Sequence, residues 1–68
     1  MTVELNGEWI ELAEATTVAQ AVERIGAAEQ RRGVAVAVDG EVVPRSAWGE
    51  TALADGQRVE VVGAIQGG

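Results

Sequence analysis

The sequence predicts a single α+β domain in which one helix packs on one face of a mixed five-stranded sheet, followed by a flexible C-terminal Gly-Gly tail. Three observations predict this fold class. Apolar and polar residues alternate in five short segments, an amphipathic helical stripe lies between the second and third segments, and Asn-Gly or Asp-Gly pairs separate segments. We expect the folded domain to span residues 1–62 and the tail residues 63–68.

The first element is a β-hairpin. Val3 and Leu5 alternate with polar residues, as expected for a strand with one buried face. Asn6-Gly7 follows, a pair that tolerates the two positive φ angles of a type I′ turn. Ile10 and Leu12 then resume the alternation, so two antiparallel strands are predicted.

An amphipathic helix comes next. Thr17 is a suitable N-cap, and Gln20 three residues later completes a capping box. Gly26 suits the left-handed position that ends a helix, and residues 27–33 are typical of a solvated connection, although Arg31-Arg32 there is also a candidate contact point. The helix has one apolar stripe at i, i+3, i+4 and i+7, formed by Val18, Ala21, Val22 and Ile25.

A second hairpin follows the helix. Val34–Val38 alternates valine with alanine, which predicts an inward valine face and an outward alanine face. Asp39-Gly40 predicts another type I′ turn, and Glu41–Val43 pairs back as a short strand. Pro44 ends that strand because it has no N–H to donate.

The last strand should lie at the centre of the sheet. Residues 45–48 predict a turn of tight helix or irregular chain, and Asp55-Gly56 predicts the final turn. Residues 58–62 form the fifth strand, with Val59 and Val61 inward. This element order is that of the ubiquitin-like β-grasp fold, in which the first and last strands run parallel at the sheet centre.

Charge narrows the possible partners. Eleven carboxylates face five arginines, and the net charge is −6. This balance argues against nucleic acid and anionic membranes, which require clustered positive charge. It is consistent both with a partner that has a basic docking surface and with charge that serves solubility alone. There is no signal-peptide pattern and no apolar run of roughly 20 residues, so we expect a cytoplasmic protein.

The residue types that usually perform catalysis are missing. The chain has no Cys, His, Lys or Tyr. Carboxylates, arginines and hydroxyls remain, but they cannot form a nucleophile paired with a His or Lys base. We therefore expect the chain to be a protein co-substrate rather than an enzyme, with no metal of its own.

The tail offers a different chemical group, the carboxylate of Gly68. Six residues at roughly 3.3–3.6 Å each reach about 20 Å, enough to enter a partner's active site. Gly67 and Gly68 have no Cβ and pass a narrow channel, and a partner groove would bury Ala64 and Ile65. A carboxylate needs a phosphate or adenylate leaving group before it can donate its acyl group, so another, ATP-using protein must activate it. The alternative is a frayed terminus without function.

The sequence resembles the thiamine-biosynthesis sulfur carrier proteins. The resemblance covers nearly the whole chain and is densest in residues 38–48, which contain Val-Pro-Arg-Ser-Ala-Trp, and in residues 53–62. It closes with Ile65, Gln66, Gly67 and Gly68. The Val-Pro-Arg-x-x-Trp segment separates this family from the small subunit of molybdopterin synthase, which shares the fold and the Gly-Gly end. Asp39 and Gln57 depart from the family pattern, where Asn and an acidic residue are common.

The resemblance implies a reaction cycle. A ubiquitin-activating-like adenylyltransferase would use ATP and magnesium to adenylate Gly68, sulfur from a cysteine desulfurase or another persulfide donor would convert it to a thiocarboxylate, and thiazole synthase would receive the sulfur. Gly68 is the implied reaction site, and Gly67, Gln66, Ile65 and Ala64 are implied partner contacts. The chain itself is expected to bind no cofactor.

Several alternatives remain open from sequence. The same carrier chemistry could serve molybdopterin, cysteine or natural-product sulfur transfer, or the domain could be a β-grasp interaction module whose tail is incidental. Trp48 is either a lid on the core or an exposed docking aromatic, and Trp9 either covers the outer face of the sheet or meets a partner. Arg45 pairs either with a carboxylate at the core edge or with a partner's acid.

Overall fold

The computed structural model describes residues 1–24 and 34–63, and within them the predicted β-grasp fold is confirmed. Five strands form one mixed sheet in the order β2-β1-β5-β3-β4. The elements are β1 (Thr2–Leu5), β2 (Glu8–Glu11), the helix α1 (Val18–Arg24), β3 (Val34–Val38), β4 (Glu41–Val43), a 3-10 helix (Arg45–Glu50) and β5 (Arg58–Gly63).

The last strand lies at the centre of the sheet, as predicted. β5 pairs parallel with β1, where Leu5 is opposite Val59, and antiparallel with β3, where Val36 is opposite Val61. The two hairpins complete the sheet on either side, with β2 and β4 at its edges. The chain therefore leaves the sheet from a strand that has a neighbour on each side.

Both hairpin turns have the backbone that their sequences predict. Asn6 has φ 50° and Gly7 has φ 86°, and the second turn repeats this with Asp39 at 51° and Gly40 at 85°. Side chains other than Asn and Asp rarely adopt these left-handed angles, so the two dipeptides fix the hairpin registers.

The helix begins at the predicted capping box. The Thr17 amide donates to Gln20 Oε1 at 3.0 Å, and the Gln20 amide donates to Thr17 Oγ1 at 3.2 Å. Val18, Ala21 and Val22 are buried, as the stripe predicts. The predicted positions of Ile25, Gly26 and the connection 27–33, with Arg31-Arg32, lie outside the described residues.

The core lies between α1 and the inner face of the sheet. Val3, Val18, Val36 and Val59 are the largest fully buried side chains. Leu12 and Leu53 extend the core beyond the regular elements, and Leu53 is held there because its amide donates to Thr16 O at 2.8 Å. Burial of these small aliphatic side chains supplies the main driving force for folding.

Trp48 is a lid on this core, so the docking alternative does not hold. Its side chain is 8% exposed, and Nε1 donates to Val43 O at 2.9 Å. The residue lies on the 3-10 helix that follows Pro44, where the sequence left tight helix and irregular chain open. Arg45 forms no ion pair with a carboxylate of the described residues; its guanidinium carbon lies 5.2 Å from the centroid of the Trp48 ring, a cation–π distance. The alternative, pairing with a partner's acid, stays a prediction.

β5 runs through Gly63, one residue further than predicted. The predicted division into a domain (1–62) and a tail (63–68) stays a prediction. Within residues 1–24 and 34–63, no helix is long and apolar enough to cross a bilayer. Over the same residues, no group of three or more acidic side chains is arranged to hold a metal ion.

Candidate functional site

All five predicted site residues lie outside the part of the chain that the structure describes. These residues are Ala64, Ile65, Gln66, Gly67 and Gly68. The described residues that carry them are the last ones of β5, up to Gly63. The end of β5 is the base from which the tail departs, and the outer face of the sheet surrounds this base.

The end of β5 is held unequally by its two neighbours. On one side, β3 stays paired with β5 up to Gly63, which lies opposite Val34. On the other side, strand pairing with β1 ends where Leu5 is opposite Val59, because β1 then enters the turn to β2. The last residues of β5 consequently extend past the end of β1.

Asn6 bridges this gap with its side chain. Its backbone amide donates to Val59 O at 2.9 Å, the last main-chain bond from β1 to β5. Its side-chain Oδ1 accepts the Val61 amide at 2.8 Å, and its Nδ2 donates to Val61 O at 3.2 Å. Both main-chain polar groups of Val61 are therefore bonded to one side-chain amide.

Asp39 makes a related contact at the other end of β5. Its amide donates to Arg58 O at 2.7 Å, and its Oδ1 accepts the Arg58 amide at 2.9 Å. Asp39 occupies the same position in its turn as Asn6 does, with a φ only 1° larger (51° against 50°). Asp39 thus holds the first part of the central strand β5, and Asn6 holds its later part.

The outer face of the sheet, opposite α1, carries exposed apolar side chains. Among the described residues, the exposed large hydrophobic side chains are Trp9 (62%), Val42 (72%) and Val62 (58%). All three belong to this face, because Trp9 pairs with Glu4 on β1, Val42 with Ala37 on β3, and Val62 with Ala35. Trp9 lies on the outer face with 62% of its surface exposed, so much of the ring is available to a partner.

Charged residues cross the middle of this face. Arg58 Nε lies 3.1 Å from Glu4 Oε1, with the Arg58 side chain 66% exposed. Open grooves on either side of this ion pair are lined by Trp9, Glu60 and Val62, among others. The face therefore combines apolar side chains with carboxylates and one arginine.

Sequence reasoning missed the side-chain contacts around β5. It predicts only turns for Asn6 and Asp39, because Asn-Gly and Asp-Gly pairs indicate a turn whether or not the first side chain also bonds to another strand. The signal available was the β-grasp order itself, which brings the end of the first strand beside the last strand. Polar turn residues at that end are then candidates for contacts with β5.

Comparisons with known proteins agree with the fold. The ThiS family model matches residues 3–68. A crystal structure titled thiamine biosynthesis protein (ThiS), from Geobacter metallireducens, is 31% identical, with a TM-score of 0.83 and complete coverage of both chains. A solution NMR structure titled thiamine biosynthesis protein, from the same organism, is 30% identical with a TM-score of 0.79, covering all of this chain and 88% of the other. No curated protein matches this chain.

Proposed function

The chain belongs to the ThiS family, and we propose that it is a sulfur carrier whose Gly68 carboxylate is loaded and unloaded by other enzymes. The family match supports a sulfur carrier role in thiamine biosynthesis. Our proposal adds the chemical form of the cargo, a Gly68 thiocarboxylate, and the partners that make and use it.

The proposed reaction has two loading steps. A carboxylate oxygen of Gly68 attacks the α-phosphorus of ATP on an adenylyltransferase, pyrophosphate leaves with magnesium, and an acyl adenylate forms. A sulfur atom delivered as a persulfide by a cysteine desulfurase, or by another donor, then attacks the acyl carbon and displaces AMP. Reductive cleavage of the S–S bond by a thiol leaves the thiocarboxylate. Thiazole synthase is the proposed recipient of its sulfur.

One observation supports this proposal above the others. The tail that ends in Gly67-Gly68 continues from β5, a central strand paired with β1 on one side and β3 on the other. The ThiS family match extends through those final glycines to residue 68. A glycine pair passes through a narrow channel without side-chain clashes, which suits delivery of the carboxylate into a partner's active site.

The outer face of the sheet is the contact surface that we propose for the adenylyltransferase. Trp9 and Val62 supply exposed apolar area, and the neighbouring Glu60 adds negative charge to a chain of net charge −6. A basic, partly apolar surface on the partner would complement this composition, and steering by charge would weaken as salt is added.

Intact-mass spectrometry tests the carrier proposal. The purified chain is incubated with a ThiS-specific adenylyltransferase, magnesium ATP and a persulfide donor with a reducing thiol. We expect a mass gain equal to one sulfur-for-oxygen exchange, located in the fragment that ends at Gly68. A matched variant lacking Gly67-Gly68 should gain nothing and keep the same fold. An AMP adduct without sulfur would indicate activation for another fate, and no change in the wild-type chain would overturn the proposal.

A further inference from the structure

We propose that Asn6 is a positioning residue for the carrier reaction: its side chain fixes the part of β5 from which the reactive tail departs. This inference rests on the proposed function, since positioning has meaning only if Gly68 is delivered to a partner. Asn6 does not touch the reacting atoms. It acts through Val61, seven positions before the reactive residue.

The Asn6 side chain substitutes for a strand residue. In a parallel ladder, one residue accepts from and donates to the same neighbouring strand, and the Asn6 amide does both toward Val61, at 2.8 and 3.2 Å. Its backbone amide has already paired with Val59 O at 2.9 Å. The ladder between β1 and β5 therefore continues for one more step after the main chain has turned away.

The turn alone does not require this side chain. A φ of 50° is open to Gly, Asn and Asp, and Gly adopts it without strain. Only Asn offers both a donor and an acceptor, whereas an ionised Asp accepts alone. Of the three residues, only Asn can therefore bond both the N–H and the C=O of Val61. The choice of Asn at position 6 matters for β5 as well as for the hairpin.

The consequence concerns where the fixed strand ends. With Asn6 in place, β5 is bonded on the β1 side as far as Val61; without it, that side is bonded only to Val59. Loss of those bonds leaves the later part of β5 held by β3 alone, so this part moves more and the tether to Gly68 becomes effectively longer. The effective concentration of a tethered group falls with roughly the −3/2 power of the length of the tether, so delivery of the carboxylate becomes slower.

Two matched variants test this inference, Asn6→Gly and Asp39→Gly. Each replaces the same turn position by the residue that best tolerates its φ, and each removes side-chain contact with β5. Only Asn6→Gly releases the later part of the strand. The readouts are Tm, amide hydrogen exchange at Val61, and kcat and KM for pyrophosphate release by the adenylyltransferase.

We expect both variants to fold and to have similarly lowered Tm values. In Asn6→Gly, exchange at Val61 should become about tenfold faster, as for loss of roughly one net hydrogen bond. Its kcat should fall by up to about 1.5-fold with an unchanged KM, the −3/2-power ratio for a tether of nine residues after Val59 against seven after Val61. Asp39→Gly should keep the wild-type kcat. The variant Asn6→Asp, which keeps the acceptor but not the donor, should lie between Asn6→Gly and the wild type.

Each contrary result has a distinct meaning. Equal kcat losses in Asn6→Gly and Asp39→Gly, in proportion to their Tm changes, would show a structural role alone and overturn the inference. Wild-type kcat in Asn6→Gly despite faster exchange at Val61 would also overturn it. If the wild-type chain releases no pyrophosphate, the proposed function fails, and the positioning role fails with it.

Discussion

Both faces of the sheet carry apolar side chains, but the two faces use them differently. On the inner face, Val3, Val36 and Val59 are at most 1% exposed, and they pack with α1. On the outer face, Trp9, Val42 and Val62 are each more than half exposed. The inner face shows which residues hold the fold, and the outer face shows which apolar residues the fold does not need.

This difference separates stability from interaction. Burial of an apolar side chain contributes about 1.5–3 kcal/mol, whereas an exposed one contributes little to the folded state. The outer apolar residues therefore require another explanation, and contact with a partner is the one that we propose. This separation is tested directly by substituting pairs of residues of the same type, one buried and one exposed.

The two tryptophans give the largest expected contrast. Trp48→Ala removes a buried ring and its 2.9 Å bond to Val43 O, and should lower the free energy of unfolding by about 3–5 kcal/mol. Trp9→Ala removes a ring that is 62% exposed, and should lower it by less than about 1 kcal/mol. Urea unfolding monitored by circular dichroism measures both values. Equal losses would contradict the distinction between the faces.

A functional readout sharpens the same pair. If the outer face contacts the adenylyltransferase, Trp9→Ala should raise the KM for the carrier under conditions in which the variant remains folded. An unchanged KM would remove Trp9 from the contact surface and leave the carrier chemistry of Gly68 untouched.

Two valines on the same strand give an intermediate contrast. Val59→Ala creates a cavity at a side chain with no exposed surface, at an expected loss of about 2–3 kcal/mol in the free energy of unfolding. Val62→Ala, also on β5, changes a side chain that is 58% exposed, and the loss should stay below about 1 kcal/mol. Both substitutions lower strand propensity alike, so the difference between their chemical-denaturation midpoints reports burial. A Val62→Ala loss as large as that of Val59→Ala would show that the outer face stabilises the fold.

Local signals explain what could be predicted from sequence. Asn6-Gly7 and Asp39-Gly40 define their turns within two residues, and Thr17 with Gln20 defines the start of the helix within four. The valine alternation then identified the inner face. Each of these features depends on neighbours in the chain, so a single sequence contains the necessary information.

The contacts that could not be predicted join distant parts of the chain. Asn6 and Val61 are separated by 55 positions, and their contact depends on how far β5 extends past β1. Arg45 lies over the Trp48 ring and not beside a core-edge carboxylate, because the 3-10 helix brings the two residues together. The predicted reactive residues, ending at Gly68, come from sequence and family resemblance alone, since they lie outside the described part of the chain.

The ion pair on the outer face gives the smallest expected effect. Arg58 and Glu4 are 3.1 Å apart, but the arginine side chain is 66% exposed, so water competes with Glu4 for its charge. A double-mutant cycle with Glu4→Gln and Arg58→Gln should give a coupling energy of about 0.2–1 kcal/mol that shrinks as salt is added. The pair joins β1 to β5, and the Tm values of the same four proteins provide a second measure of the coupling. A salt-independent coupling well above this range would mean that the outer face does help to hold the sheet together, and that its division from the inner face is less complete than burial alone indicates.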